Sequence, residues 1–165
     1  MMRSDLLRHV WLALFLAAFA LISGCSSSTH SDAPSYRLTF RAHPQINNAA
    51  PLKVRVLLLK SDAGFMSADF WSLQNGDSKA LAGSLLNSDE FFLMPGQLNK
   101  VLTGRSSPEA RYIGIVAEYQ QLDGKKWRIS LPLPSPDDSS FWSWSSDELQ
   151  ASLFLDINGI RVVDK

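Results

Sequence analysis

From Tyr36 the side chains alternate, with Tyr36, Leu38, Phe40 and Ala42 on one face and Arg37, Thr39 and Arg41 on the other. Successive side chains of an extended chain point to opposite sides, so this is a strand with one face toward a core and one toward water. The pattern returns in "LKVRVLLLK", where Leu52, Val54, Val56 and Leu58 share a face and Lys53 and Arg55 take the other. Further strand-like runs follow at "DEFFLM", before a Pro95-Gly96 turn, then at "QLNKVLT", "RYIGIVAEYQ", "KWRISLPL" and "ASLFLDI". Asn158-Gly159 between two apolar runs is a strong short hairpin signal. Many short strands separated by turn residues predict a mainly β fold, a two-sheet antiparallel β-sandwich over about residues 36–165.

A different texture lies between the second and third strands. "SADFWSL" begins with Ser67, a residue suited to capping a helix N-terminus, and "DSKALAGSLLNS" carries Leu81, Leu85 and Leu86 at helical spacing behind Asp77. A small helical lobe over about residues 65–88 is therefore expected to interrupt the β pattern.

The segment before the domain reads as an address. Arg3 and Arg8 precede an apolar run from Val10 to Ile22, about 13 residues against the roughly 20 of a spanning helix, which marks residues 1–24 as a signal peptide. It ends in Ile22-Ser23-Gly24-Cys25, and Cys25 is the only cysteine in the chain. Small residues before a cysteine at this place resemble a bacterial lipobox, which implies acyl chains on Cys25. Two or more such chains hold a protein stably on a bilayer. Residues 25–35 then form a lipidated cysteine and a flexible tether, small and polar with nothing to bury. A lone cysteine leaves no disulfide to staple the domain, so its stability must come from its core.

Few function classes survive the composition. Sixteen Lys and Arg balance sixteen Asp and Glu without a long run of either sign, so nothing suggests a nucleic-acid groove. Of three histidines, His9 lies in the leader and His30 in the tether, which leaves His43 alone near the domain and no metal cluster to build. The adjacent pairs Asp89-Glu90 and Asp137-Asp138 read as solvated edges, because neighbours in a strand point apart. "GRSSPEAR" lacks the lysine-bearing spacing of a phosphate loop. No enzyme, cofactor or small-molecule substrate is expected. A hydrolase would need a Ser-His-Asp geometry converging around His43.

Two segments stand out as candidate surfaces. The stretch "AHPQINNAAP" breaks the alternation for about ten residues, where hairpin loops usually need two to five. Pro44 and Ile46 offer stiffness and an apolar anchor, and Gln45, Asn47 and Asn48 offer polar groups at a rim, a mixture that interfaces use. The alternative is that Pro44 and Asn47-Asn48 shape a long turn while Ile46 folds back onto the sandwich. The second segment is "SSFWSWSS", in which Trp142 and Trp144 share a face if extended. Its rings either cap the end of the core or bind a partner or ligand, and the latter would suit a periplasmic small-ligand carrier or sensor.

The order of features from "PLKVRVLLLK" through "ADF", "LAGSLL", "DEFFLMPGQ" and "RYIGIVAEYQ" to "KWR" resembles TssJ, the family of outer-membrane lipoproteins of the bacterial type VI secretion system. The proline-rich "LPLPSPDD" and the aromatic segment after it do not match that family's pattern. The resemblance implies a transthyretin-like sandwich with a small helical addition, held on the periplasmic face of the outer membrane through Cys25. Ser26, rather than Asp, after the cysteine implies outer-membrane sorting in a Gram-negative bacterium. The implied role is structural: binding the periplasmic C-terminal domain of the inner-membrane protein TssM and so fixing the trans-envelope complex to the outer membrane. The family's contact loop corresponds to Ala42, His43, Pro44, Gln45, Ile46, Asn47, Asn48, Ala49 and Ala50; Trp142 and Trp144, outside the family's pattern, are a candidate secondary contact on their residue chemistry alone.

Overall fold

The first alternating run becomes β1 (Ser35–Ala42), whose burial follows the sequence pattern, with Tyr36, Leu38, Phe40 and Ala42 buried. The computed structural model describes residues 33–75, 81, 83–134 and 148–163. Seven further strands follow among these residues: β2 (Leu52–Leu59), β3 (Leu85–Leu93), β4 (Lys100–Arg105), β5 (Tyr112–Glu118), β6 (Arg128–Pro132), β7 (Glu148–Asp156) and β8 (Gly159–Val162). They form two four-stranded sheets in the orders β4-β1-β7-β8 and β3-β2-β5-β6. The inner faces meet in one core that includes Leu38, Phe40, Val54, Val56, Ile113, Ile115, Leu153 and Leu155.

The expected sandwich is present, with one departure in strand direction. β1 pairs antiparallel with β4 but parallel with β7, Leu38 lying opposite Leu102 on one side and Ala151 on the other. The chain leaves β6 in one sheet and joins the other at β7, so β7 need not run against its neighbour as a hairpin partner would. The last pairing is the expected hairpin, although Ile157 and Asn158 form its turn and Gly159 already belongs to β8. Gly159 has φ of 119°, and a Cβ there would meet the Lys126 backbone, so glycine is required by both conformation and space.

The helical lobe lies on the outer face of the second sheet. Helices α1 (Ala63–Ser67) and α2 (Phe70–Gln74) are too short to persist alone and depend on packing. Phe65, Phe70, Leu73 and Leu81 bury against Leu57, Leu59 and Val116, so the second half of β2 is covered on both faces. Gly114 makes room for this: a Cβ there would lie 3.0 Å from Phe65 Cζ and 3.1 Å from Leu59 Cδ1. Two arginines fasten the lobe. Arg55 donates from Nη2 to the Leu73 carbonyl at 2.8 Å and pairs through Nε with Glu118 at 2.9 Å. Arg128 donates to the carbonyls of Phe65 and Ala68, with its guanidinium 4.5 Å from the Trp127 ring centroid. Cations at the ends of short helices satisfy carbonyls that have no partner within the helix.

Two local expectations fail here. Ser67 does not cap a helix; it ends α1 and donates to the Gly64 carbonyl, while Asp69 caps α2 by accepting from the Ser72 amide at 2.9 Å. Asp69 wins because its backbone is extended and its carboxylate complements the helix N-terminus; the hydrogen bonds from Ser72 hold it below the usual carboxylate range. Leu85 and Leu86 are not helical either. Gly83 turns the chain at φ of 75°, and the two leucines open β3, Leu85 pairing with Leu59. Ladder hydrogen bonds to β2 override a spacing that short apolar runs cannot specify.

Candidate functional site: the β1–β2 loop

The long interruption between β1 and β2 is two turns placed end to end. The Ile46 amide donates to the His43 carbonyl at 3.0 Å across Pro44-Gln45, a turn for which proline supplies the φ of the second position. His43 Nδ1 accepts from the Gln45 amide at 3.1 Å. Next, Asn47, Asn48 and Ala49 all sit in the left-handed region, with φ of 48°, 59° and 58°, and the Ala50 amide closes the second turn on the Asn47 carbonyl at 3.2 Å. Asparagine tolerates this region; alanine sits there at a cost of about 1 kcal/mol.

Ile46 is fully buried and belongs to the inter-sheet core. Of the two readings of this residue, the structure decides for the sandwich, and Ile46 is not an outward anchor. The reason is position: β1 and β2 belong to different sheets, so the loop between them crosses the open end of the core and its apolar side chain closes it. Asn47 is also buried, at 7% exposure. Both ends of its carboxamide are engaged, Nδ2 donating to the Pro51 carbonyl at 3.0 Å and Oδ1 accepting from the Gln120 amide at 2.8 Å. What remains outward is Pro44, Gln45, Asn48 and Ala49, with His43 and Ala50 half-exposed and Ala42 buried at the end of β1.

The loop is tied to β7, to the β3–β4 turn and, through Asn47, to the β5–β6 loop. His43 donates its amide to the Leu155 carbonyl at 2.9 Å. Ala42 donates to the Gln97 carbonyl at 2.7 Å and Gly96 to the His43 carbonyl at 3.3 Å, which bind the loop to the β3–β4 turn. That turn is Met94-Pro95-Gly96-Gln97, closed by the Gln97 amide on Met94 at 3.0 Å with Gly96 at φ of 72°, the geometry of a type II turn. Tyr119 links the β5–β6 loop to β7 through its hydroxyl and the Asp156 carbonyl at 3.0 Å. Burial, reinforced by the Asp156 charge, pushes the Tyr119 phenol up, so it stays protonated and remains a donor.

Sequence reasoning missed two features beside the loop. Trp71 and Phe92 are 65% and 62% exposed and line a shallow groove with Asn47, Pro51 and Gln120. Met94 and Leu98 are exposed on the β3–β4 turn. The adjacent phenylalanines of "DEFFLM" carried a signal for the first, since one of two neighbours in a strand must face away from the core. Cys25, Trp142 and Trp144 lie outside the described residues, and with them the lipid site, the secondary contact and the ligand-carrier reading. Among the described residues no helix is long and apolar enough to cross a membrane, and no group of His, Cys, Asp and Glu is placed to hold a metal ion.

Comparison with known proteins converges on one family. Residues 34–154 match the family model described as type VI secretion lipoprotein, VasD, EvfM, TssJ. The fold is similar to that of Serratia marcescens Lip, a membrane bound component of the type VI secretion system, with 54% identity over 79% of this chain and 98% of that one and a TM-score of 0.72. It is also similar to the type VI lipoprotein TssJ1 from Pseudomonas aeruginosa, with 27% identity, 81% and 97% coverage and a TM-score of 0.66. A chain of a type VI membrane complex shares the fold at 24% identity, 80% and 99% coverage and a TM-score of 0.63. A comparison with curated proteins gives no significant match.

Proposed function

The chain belongs to the type VI secretion lipoprotein family, and from that premise we propose that it is a lipid-anchored structural part of the trans-envelope membrane complex. Acyl chains on Cys25 hold it on the periplasmic face of the outer membrane, and its β1–β2 loop docks the periplasmic C-terminal domain of TssM. Its contribution is mechanical coupling rather than catalysis.

The observation that carries this reading is a polar arc on a rigid base. Pro44, Gln45, Asn48 and Ala49 face outward from a loop whose other residues are buried or bonded. A surface fixed before binding loses little conformational entropy on docking. The direction of the chain supports it too. Ser35 starts β1 and the loop follows its last residue, eight residues on, so the two lie roughly 26 Å apart along the strand. The loop therefore sits at the opposite end of β1 from the residue at which the chain enters the sandwich, clear of that entry.

Immobilised TssM periplasmic domain tests the docking surface. Replacing Pro44 and Gln45 by Ala together with Asn48 by Gly should weaken capture at least about tenfold with the circular dichroism unchanged, since the outward side chains are removed while glycine accepts the left-handed backbone at position 48. Undiminished capture removes the loop from the interface. For the anchor, Cys25→Ser should abolish incorporation of a fatty-acid analogue and membrane retention, and a variant that stays lipidated refutes the attachment site.

A further inference from the structure

Resting on the docking role of the β1–β2 loop, we propose that Asn47 is its positioning residue: the buried carboxamide locks the loop in its binding shape and joins it to the β5–β6 loop. Only 7% of Asn47 is exposed, so its part is to hold the loop rather than to supply the contact surface.

Three observations meet at this residue. It opens a run of three left-handed residues, Asn47, Asn48 and Ala49, an arrangement that surrounding structure must hold in place. Both functional groups of its side chain are engaged, the amide nitrogen with the Pro51 carbonyl four residues on and the oxygen with the Gln120 amide from a loop 73 residues away. Its neighbour Ile46 is sunk in the core, so the segment is pinned on one side by apolar burial and on the other by the carboxamide.

The consequence is kinetic. Losing the lock leaves the exposed arc chemically intact but lets the loop sample other shapes, and the apparent affinity falls with the fraction of molecules in the competent shape. A change of population lowers the apparent association rate, whereas trimming a direct contact acts mainly on dissociation. Asn47 and Gln45 should therefore differ in which rate they alter.

The test uses the folded lipoprotein domain and the TssM periplasmic domain, with association and dissociation rates measured for the wild type, Asn47→Gly, Asn47→Asp and Gln45→Ala. Glycine keeps the left-handed backbone accessible and removes both side-chain bonds. Asn47→Gly should slow association about tenfold with dissociation unchanged, by the same population argument. It should also release the Gln120 amide to fast hydrogen exchange. Asn47→Asp keeps the acceptor for Gln120 and loses the donor to Pro51, so Gln120 should stay protected and association should fall less. Gln45→Ala should speed dissociation. If both Asn47 variants associate as the wild type does, or change dissociation alone, the positioning role is overturned while docking stands. If the wild-type domain fails to capture TssM at all, the docking role falls and this one with it. Should Asn47→Gly not fold, the aspartate variant carries the same decision through its association rate and Gln120 exchange.

Discussion

Strand β2 carries a long connection at each end, and the two are held rigid by different means. The β2–β3 connection buries a second apolar cluster: Phe65, Phe70, Leu73 and Leu81 settle on Leu57, Leu59 and Val116, with Arg55 and Arg128 holding the carbonyls of its helices. The β1–β2 loop buries one apolar side chain, Ile46, and is otherwise fixed by hydrogen bonds and by the Asn47 carboxamide. A connection stiffened by apolar burial turns its distinctive residues inward. One stiffened through its backbone leaves several side chains outward, which suits a surface that must be both rigid and available.

The contrast can be tested by removing each kind of support. Phe65→Ala should cost the most, about 4 kcal/mol of unfolding free energy, because a fully buried aromatic leaves a cavity between lobe and sheet. Chemical denaturation that shows less than about 1 kcal/mol would mean the lobe is not part of the cooperative fold. Ile46→Ala should cost about 3 kcal/mol, a core-sized effect from a loop position. A negligible loss would return Ile46 to the surface and erase the distinction between plug and arc.

Smaller effects sharpen the same comparison. Gly114→Ala should destabilise by about 2 kcal/mol through overpacking, because the added methyl meets Phe65 and Leu59 at 3.0 and 3.1 Å. If its thermal midpoint matches the wild type, the lobe yields more easily than its packing implies. Ala49→Gly should go the other way, raising stability by about 0.5 kcal/mol, since relief of a left-handed alanine slightly exceeds the extra freedom glycine gives the unfolded chain. A destabilised Ala49→Gly would show that the left-handed turn carries no strain to relieve.

Much of the sandwich was legible in the residues. The faces of β1 and the first half of β2 follow their alternation, the Pro95-Gly96 turn sits where that pair places it, and "INGIRVV" forms a hairpin with its turn one residue earlier than its Asn-Gly pair suggests. The lobe was legible as an interruption but not in its parts. Two acceptable caps, Ser67 and Asp69, stand two residues apart, and Leu85 and Leu86 fit a helix as well as a strand until β2 lies beside them. For the loop, Asn47-Asn48 signalled left-handed turns, while the partner of the Asn47 oxygen, the Gln120 amide, is 73 residues distant and beyond any local pattern.

The sequence by itself determined the period-two faces of the strands and the mainly β class, because alternation and turn chemistry are local properties of the chain. It also supplied the ordered features that tie the chain to its family. Only the tertiary structure decided which way the ambiguous residues face. Ile46 turns inward because the two sheets leave an open end beneath it, and Leu57 and Leu59 are buried because a lobe happens to cover their side. β7 runs parallel to β1 because the chain changes sheets to reach it. Burial of an apolar side chain is settled by what packs over it, and that is a property of contacts between distant segments rather than of any one of them.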